Sequence, residues 1–218
     1  MGIFQYDSSF MKIMDKISRI VMLNILFLFT CIPVITVGIG LEAMYYSIMK
    51  WKAEKDDRVF HNYIEGIKHG WLKATVGWIL TVICALFLVV EFQIIGKMPS
   101  PVRYVFVCVA GFTTVCVAVT VLYYFAVTAW VKASVGKLIT ISFAGGMRCL
   151  LHTFALVLLL LIEIFAVSFS VKLIPIWVIF GFAAFGWLQG TIYLWVFEKI
   201  GIYKPERKPT EPGNSDGI

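Results

Sequence analysis

Long apolar runs alternate with short polar stretches along the chain of 218 residues. Each of the later runs is long enough to cross a bilayer, since a helix rises about 1.5 Å per residue and the hydrocarbon core is roughly 30 Å thick. The pattern therefore predicts an all-α, polytopic transmembrane helical bundle. The runs are Ile17–Val37 with its continuation to Met49, then Trp71–Ile95, Tyr104–Val131, Leu150–Leu173 and Ile176–Phe197.

The first run is too long for one ordinary crossing, and it contains a break. Pro33 removes a backbone donor and biases the residue before it away from helical angles. We expect a first helix to about Cys31, a turn that contains Pro33, Thr36 and Gly38, and a short second helix that returns. This second leg is either a tilted short crossing or a re-entrant leg buried by its neighbours.

The distribution of basic residues supports this hairpin. The successive loops carry 3, 6, 2, 3, 1 and 4 Lys or Arg residues. With a hairpin first, the groups of 3, 6, 3 and 4 fall on one side, and the positive-inside rule places that side and both termini in the cytoplasm. Six membrane legs result. Without the hairpin the count is five, and the groups of 3 and 6 lie on opposite sides.

Domain organisation and partners follow from the same pattern. Residues 1–203 form a single transmembrane domain, and residues 204–218, which are rich in Pro, form a disordered cytoplasmic tail. The net charge of +6 is accounted for by the basic inner side, so we expect the lipid bilayer as a partner and no nucleic acid.

The first cytoplasmic loop contains an interfacial amphipathic helix. Its apolar side chains recur at helical spacing up to Trp71, opposite a polar face, as is typical of helices in the headgroup region. The helix is either a docking surface for a partner or a plain connector. The candidate docking residues are Tyr63, Ile64, Ile67, Lys68 and Trp71.

The second cytoplasmic loop repeats features of the first. Gly-Ile-Lys at 66–68 recurs as Gly-Met-Arg at 146–148, and the tyrosine pair at 45–46 recurs at 123–124. An ancestral parallel duplication would explain this recurrence. The general preference of aromatic and basic residues for the inner interface would explain it equally.

Polar side chains inside apolar runs are the best functional leads, because they are costly there. Glu163 lies near the middle of its run and must face the interior, pair with a donor or carry a proton. A polar pathway through Glu42, Glu163 and Gln189 could bind a proton or polarise a sugar hydroxyl. The alternative is structural, with interhelical hydrogen bonds of roughly 0.6–2 kcal/mol each.

Gly186 and Gly190 lie one helical turn apart in the last apolar run. Two small residues at this spacing let another helix approach closely. We expect this pair to serve helix packing within the chain rather than dimerisation.

Signatures of enzymes are absent from the sequence. It contains no GxSxG, HExxH, Walker or GxGxxG motif. The five cysteines and three histidines show no metal-ligand spacing. We therefore expect a non-enzymatic protein with no cofactor and no bound metal.

Two stretches near the N-terminus carry a recognisable pattern. They are CIPVITVG at 31–38 with EAMYY at 42–46, and the aromatic segment from Phe60 to Thr75. The pattern resembles the YesL-like family of bacterial integral membrane proteins, most strongly over Met14–Trp78. This family is itself of unknown function and offers no catalytic residues.

The resemblance implies a bacterial plasma-membrane protein, because members of the family are membrane proteins often encoded beside sugar-uptake and glycan-degradation systems. We therefore expect a non-enzymatic accessory or regulatory component associated with carbohydrate uptake. A sugar ABC-transporter permease or a related membrane component would be its partner. The alternative is a self-contained secondary transporter for a small solute that uses the intramembrane polar residues.

Overall fold

The structure is a computed structural model that describes residues 9–169 and 181–203. The predicted all-α class is confirmed for this part of the chain, which contains helices and no strand. The predicted tail at 204–218 and part of the last two apolar runs lie outside the described residues. The helices are α1 Ser9–Cys31, α2 Val37–Ala53, α3 Val59–Gly96, α4 Val102–Trp130, α5 Val135–Arg148, α6 Leu150–Phe169 and α7 Phe182–Lys199.

The predicted break in the first run is a tight turn between α1 and α2. A short 3₁₀ helix, Val34–Thr36, follows Pro33, and the hydroxyl of Thr36 donates to the carbonyl of Pro33 at 2.7 Å. The turn is shorter than predicted, because Gly38 already belongs to α2. Its role is close packing, since a Cβ atom there would lie 2.6 Å from the carbonyl oxygen of Ala74 on α3.

The short second helix, α2, is the centre of the bundle. It packs against α1, α3, α4 and α7, most extensively against α3. Ten of the twelve residues from Gly38 to Met49 are buried. Because the helix is buried on nearly all sides, its sequence shows little amphipathic pattern.

Two of the longer helical stretches begin with a bend. In α3 the backbone leaves helical angles at Gly70, which divides it into a lead segment (residues 59–69) and a span (residues 71–96). In the second case α5 and α6 meet at an angle of 100°. Each loop thus places a shorter helix before a long apolar one. This shared arrangement is compatible with an ancestral duplication and with a common interface preference, and both explanations stay open.

The repeated glycines of the two loops pack in similar ways. A Cβ atom at Gly66 would lie 3.1 Å from Cβ of Tyr46, and one at Gly146 would lie 3.2 Å from the ring of Tyr123. Both tyrosines belong to the helix that precedes the loop, and each helix is held close to its glycine. The glycines recur because both sites require close approach of two helices.

Apolar helices in the described residues are compatible with a membrane. Two of them, α3 and α4, are long and apolar enough to cross a bilayer, and the bent pair α5 and α6 makes a third candidate if it counts as one span. Only 6% and 11% of the most apolar windows of α3 and α4 are buried. Such large exposed apolar surfaces are stable in lipid rather than in water. The predicted count of six legs is not confirmed.

One end of the bundle contains the start of α1 and the ends of α2, α4 and α7. Arg19 in α1 pairs with Asp57 in the loop after α2 at 2.6 Å, and the rings of Trp130 and Tyr203 lie 5.8 Å apart. We call it the basic end, because its loops carry most of the Lys and Arg residues.

Candidate functional site

Glu42 is fully buried in α2 and lies against the bend of α3. At Gly70 the α3 backbone has φ −143° and ψ 22°. A Cβ atom at this position would lie 2.1 Å from Oε1 of Glu42, so the missing side chain of glycine makes room for the carboxyl group. We call Glu42, His69 and Gly70 the kink site.

The polar atoms of the kink site lack hydrogen bonds. Neither carboxyl oxygen of Glu42 has a hydrogen-bond partner among the described residues, and neither does Nδ1 of His69. His69 Nδ1 lies 3.7 Å from Glu42 Oε1, beyond hydrogen-bond distance but within ion-pair distance. Because buried polar groups are nearly always hydrogen-bonded, this pair requires a chemical explanation.

Aromatic side chains surround the kink site. The ring of Tyr46 lies 5.3 Å from the ring of His69. From α4, Tyr124 packs on Gly77, and its hydroxyl donates to the backbone carbonyl of Lys73 at 2.9 Å. The side chain of His69 is 14% exposed whereas that of Glu42 is fully buried, so the imidazole is the accessible member of the pair.

A second group of polar side chains lies between α1, α2, α6 and α7. The hydroxyl of Tyr45 donates to Oε1 of Gln189 at 2.6 Å. Both residues line a cavity of about 400 Å³ together with Glu163. We call this space the tyrosine cavity. Its remaining lining is apolar and comprises Phe27, Leu41, Met44, Leu160, Ile164 and Phe182.

A row of buried tyrosines extends from this cavity through the bundle. The rings of Tyr45 and Tyr193 lie 5.2 Å apart, and those of Tyr193 and Tyr123 lie 5.5 Å apart. The hydroxyl of Tyr193 donates to the carbonyl of Leu122 at 2.7 Å, and that of Tyr123 lies 3.0 Å from the hydroxyl of Thr153. Each hydroxyl has a partner, so the row is a rigid polar seam between helices.

The structure divides the predicted polar pathway into two sites. Glu163 and Gln189 line the tyrosine cavity, whereas Glu42 is not among its lining residues. Glu42 instead faces α3 at the kink site. Among the described side chains, Glu42, Glu163 and Gln189 therefore do not line one common pathway.

The candidate docking residues are divided between the core and the surface. Tyr63 is fully buried and donates from its hydroxyl to that of Thr30 at 2.9 Å. Ile67 packs against the core. Trp71 and Lys68 are exposed, and Ile64 is partly exposed. Tyr63 and Ile67 are therefore not part of an outer docking surface, because they hold the lead segment against the core, with Tyr63 bonded to α1.

Gly186 and Gly190 both face α2. A Cβ atom at Gly190 would lie 2.5 Å from Cγ2 of Ile48, and one at Gly186 would lie 2.9 Å from Cε of Met44. The pair brings α7 close to the central helix and closes one wall of the bundle beside the tyrosine cavity.

Acidic groups at the basic end are paired with cations. Lys50 lies 2.9 Å from Glu65, and Arg58 lies 3.0 Å from Asp56. Hydrogen bonds from Arg58 hold the pKa of Asp56 down at about 2. Among the described residues, no group of three or more His, Cys, Asp or Glu side chains is placed to hold a metal ion.

Comparison with known proteins gives one match. The family model described as "Protein of unknown function, DUF624" matches residues 20–92. This segment is about a third of the chain, and it contains α2 with the whole kink site. Searches of curated proteins and of solved structures found no match. The predicted likeness to a family of unknown function is confirmed over this segment, and the YesL-like name stays a prediction.

Sequence reasoning missed several residues that build the two sites. Gly66 and Gly70 have the same spacing as Gly186 and Gly190, and this signal in the DUF624-like segment could have marked the approach of α2. Nothing in the sequence marks His69 as a neighbour of Glu42, since the histidines show no spacing that points to a shared site. Nothing in the local sequence of Tyr193 indicates its place in the tyrosine row, because that place depends on how three helices pack.

Proposed function

We propose that this chain is a six-pass protein of the bacterial plasma membrane, with both termini in the cytoplasm, and a non-enzymatic accessory or regulatory component of carbohydrate uptake. The apolar helices and the match to an unknown-function family support the coarser part, a membrane protein. The one-sided distribution of basic residues supports the orientation. The resemblance to the YesL-like family supports the link to sugar uptake.

The accessory role is supported by the exposed outer face of the α3 lead segment, which continues past the bend to Trp71. Phe60 and Trp71 are both 52% exposed, and Lys68 lies on the surface between them. The inner face of the same segment is fixed on α2 through Gly66. A rigid helix that presents aromatic and basic groups at the membrane interface suits a membrane partner with an apolar and acidic surface.

The proposed partner is a sugar ABC-transporter permease or a related membrane component. Its complex would form at the inner interface, where the lead segment would lie under the proposed orientation. Aromatic side chains are the commonest energetic anchors of protein interfaces, so Phe60 and Trp71 would contribute most of the binding energy.

Affinity purification from native membranes in mild detergent, followed by mass spectrometry, tests this role. We expect a carbohydrate permease in stoichiometric amount with the wild type, and at least tenfold less with Phe60→Ala/Trp71→Ala, since two anchors of about 1 kcal/mol or more each are lost. Trp195→Ala is the matched control, because Trp195 is an exposed tryptophan on α7, away from the lead segment. Absence of a permease from the wild-type preparation, or equal recovery with Phe60→Ala/Trp71→Ala, would contradict the proposal.

A self-contained carrier is the second candidate, and the tyrosine cavity favours it. A mostly apolar cavity with a few convergent polar groups is the usual form of a small-molecule site. Glu163 and Gln189 are the groups that would contact a solute in this cavity of about 400 Å³.

Uptake into proteoliposomes tests the carrier. With candidate sugars as probes, Glu163→Gln is expected to abolish uptake while the protein remains folded. Glu91→Gln is the control, because Glu91 is a glutamate of the α3 span outside the cavity lining. No uptake by the wild type, or unchanged uptake in Glu163→Gln, would remove this candidate.

A further inference from the structure

We propose that Glu42 and His69 form a proton-binding site at the bend of α3, in which the carboxyl group of Glu42 holds the proton and Nδ1 of His69 accepts its hydrogen bond. The proposal stands on the geometry of the kink site and depends on neither proposed function. A regulatory component and a carrier could each contain such a site.

The first support is the position of the carboxyl group. Glu42 has no solvent exposure, and both of its oxygens lack a hydrogen-bond partner among the described residues. A bare carboxylate in such surroundings is strongly disfavoured, because no described donor offsets its loss of hydration. A proton removes the charge and supplies the donor that the site lacks.

The second support is the imidazole. His69 Nδ1 is 3.7 Å from Oε1 of Glu42, and it is buried without a partner. A protonated carboxyl group and a neutral imidazole nitrogen are complementary as donor and acceptor. A closer approach of the two atoms would form this hydrogen bond, and one proton would then give both side chains a partner.

The third support is the backbone of α3. Gly70 leaves helical angles beside the carboxyl group, and any larger residue would place a Cβ atom 2.1 Å from Oε1. The bend and the glycine thus leave just the space that Glu42 occupies. A purely structural glutamate would be expected to bond a backbone donor exposed by the bend, and no such bond is present.

The charges around the pair favour a proton on the carboxyl group over one on the imidazole. Burial opposes a charge on the imidazole of His69, and Lys132, Lys73 and Lys50 oppose it further whereas Glu65 favours it, so the surroundings favour a neutral imidazole. His69 is the accessible member and provides the route for the proton from the basic end. The titratable groups around the pair are Tyr46 and Lys50 on α2, Glu65 and Lys73 on α3, Tyr124 on α4, and Lys132 after α4.

Infrared difference spectroscopy of the full chain in nanodiscs tests the site. Spectra taken from about pH 4 to about pH 10, around the reference values of carboxyl and imidazole groups, report each protonated carboxyl group by its C=O band. We expect one titrating band to disappear in Glu42→Gln. Bands from other glutamates persist there, and Glu91→Gln is the control that leaves the Glu42 band unchanged. If Glu42→Gln removes no band, the proposal is wrong.

The role of His69 is tested in the same experiment. His69→Ala removes the acceptor and admits water, and both changes destabilise the protonated carboxyl group, so its titration midpoint is expected to fall by about 1 unit or more. His61→Ala is the matched control, since His61 is exposed on the same lead segment. A midpoint that is the same in His69→Ala and the wild type would overturn the pairing.

Two further measurements keep the test decisive. If Glu42→Gln does not fold, Glu42→Asp keeps the carboxyl group but withdraws it from Gly70, and its band is expected at a changed midpoint. An unchanged spectrum in Glu42→Asp would contradict the assignment. The midpoint is also expected to be equal in sodium and choline buffers, and dependence on sodium would replace the proton by a metal cation and refute the proposal.

Discussion

Three glycines of α3 allow side chains of the neighbouring helices to approach its backbone closely. Gly66 and Gly70 face α2, and Gly77 faces Tyr124 of α4. A Cβ atom at Gly77 would lie 2.0 Å from the ring of Tyr124, so α4 is seated as tightly as α2. These contacts place a carboxyl group, an imidazole and two tyrosines around one bend.

The effect of a methyl group at Gly70 tests this packing. Gly70→Ala is expected to destabilise the protein by about 1–3 kcal/mol, because the added Cβ atom must displace the carboxyl group of Glu42 or the backbone of α3. The midpoint of thermal unfolding in a fixed detergent would report the loss. Gly111→Ala is the control, since nothing lies within 4 Å of a Cβ atom there.

A double substitution separates the clash from other effects of alanine. In the Glu42→Ala background the carboxyl group is gone, so Gly70→Ala should cost much less than it does in the wild type. Equal costs in both backgrounds would show that Gly70 is needed for the backbone conformation and not for space beside Glu42.

At the scale of elements, α2 organises the bundle although it has only 17 residues. It receives α3 on one side through Gly66 and Gly70, and α7 on another through Gly186 and Gly190. Helices in lipid gain little from the hydrophobic effect, so close contact through small residues supplies much of their association. The two glycine pairs therefore hold the kink site and the tyrosine cavity on different faces of one helix.

The α2–α7 contact predicts a graded response to alanine. Gly190→Ala should be more destabilising than Gly186→Ala, because its Cβ atom meets the Cγ2 methyl of the β-branched Ile48 whereas that of Gly186 meets the flexible end of Met44. Thermal unfolding in one detergent gives the ranking, and Gly136→Ala, in open space on α5, serves as the control. The reverse order, or equal midpoints for all three variants, would contradict this packing.

The sequence indicates the elements better than it indicates the sites. Apolar periodicity and Pro33 locate α1, the turn and the starts of the long helices, because these depend on local chemistry. The bend at Gly70 falls where the amphipathic lead segment gives way to the apolar run that begins at Trp71, so the sequence indicates the place of the bend but not its contact with Glu42. Glu42 and His69 come together only because α2 returns beside α3, so their pairing depends on tertiary structure.

At the scale of the whole molecule, the exposed surface of α3 and α4 is the feature that a bilayer explains. Side chains such as Leu86, Phe87 and Phe112 are more than 60% exposed on these helices. Most of the cations gather instead at the basic end, where Lys50, Arg58 and Arg19 are paired with carboxylates. An apolar middle and a charged end define how the bundle would sit in the membrane.

Cysteine labelling on either side of α4 is the most direct measurement of this arrangement. Ser100 precedes α4 and Ser134 follows it, and both are exposed. In a background without the five native cysteines, Ser100→Cys is expected to react with an impermeant maleimide on intact cells, and Ser134→Cys only after the membrane is opened. Labelling of both positions from the same side would contradict a bundle in which α4 crosses the bilayer with its basic end in the cytoplasm.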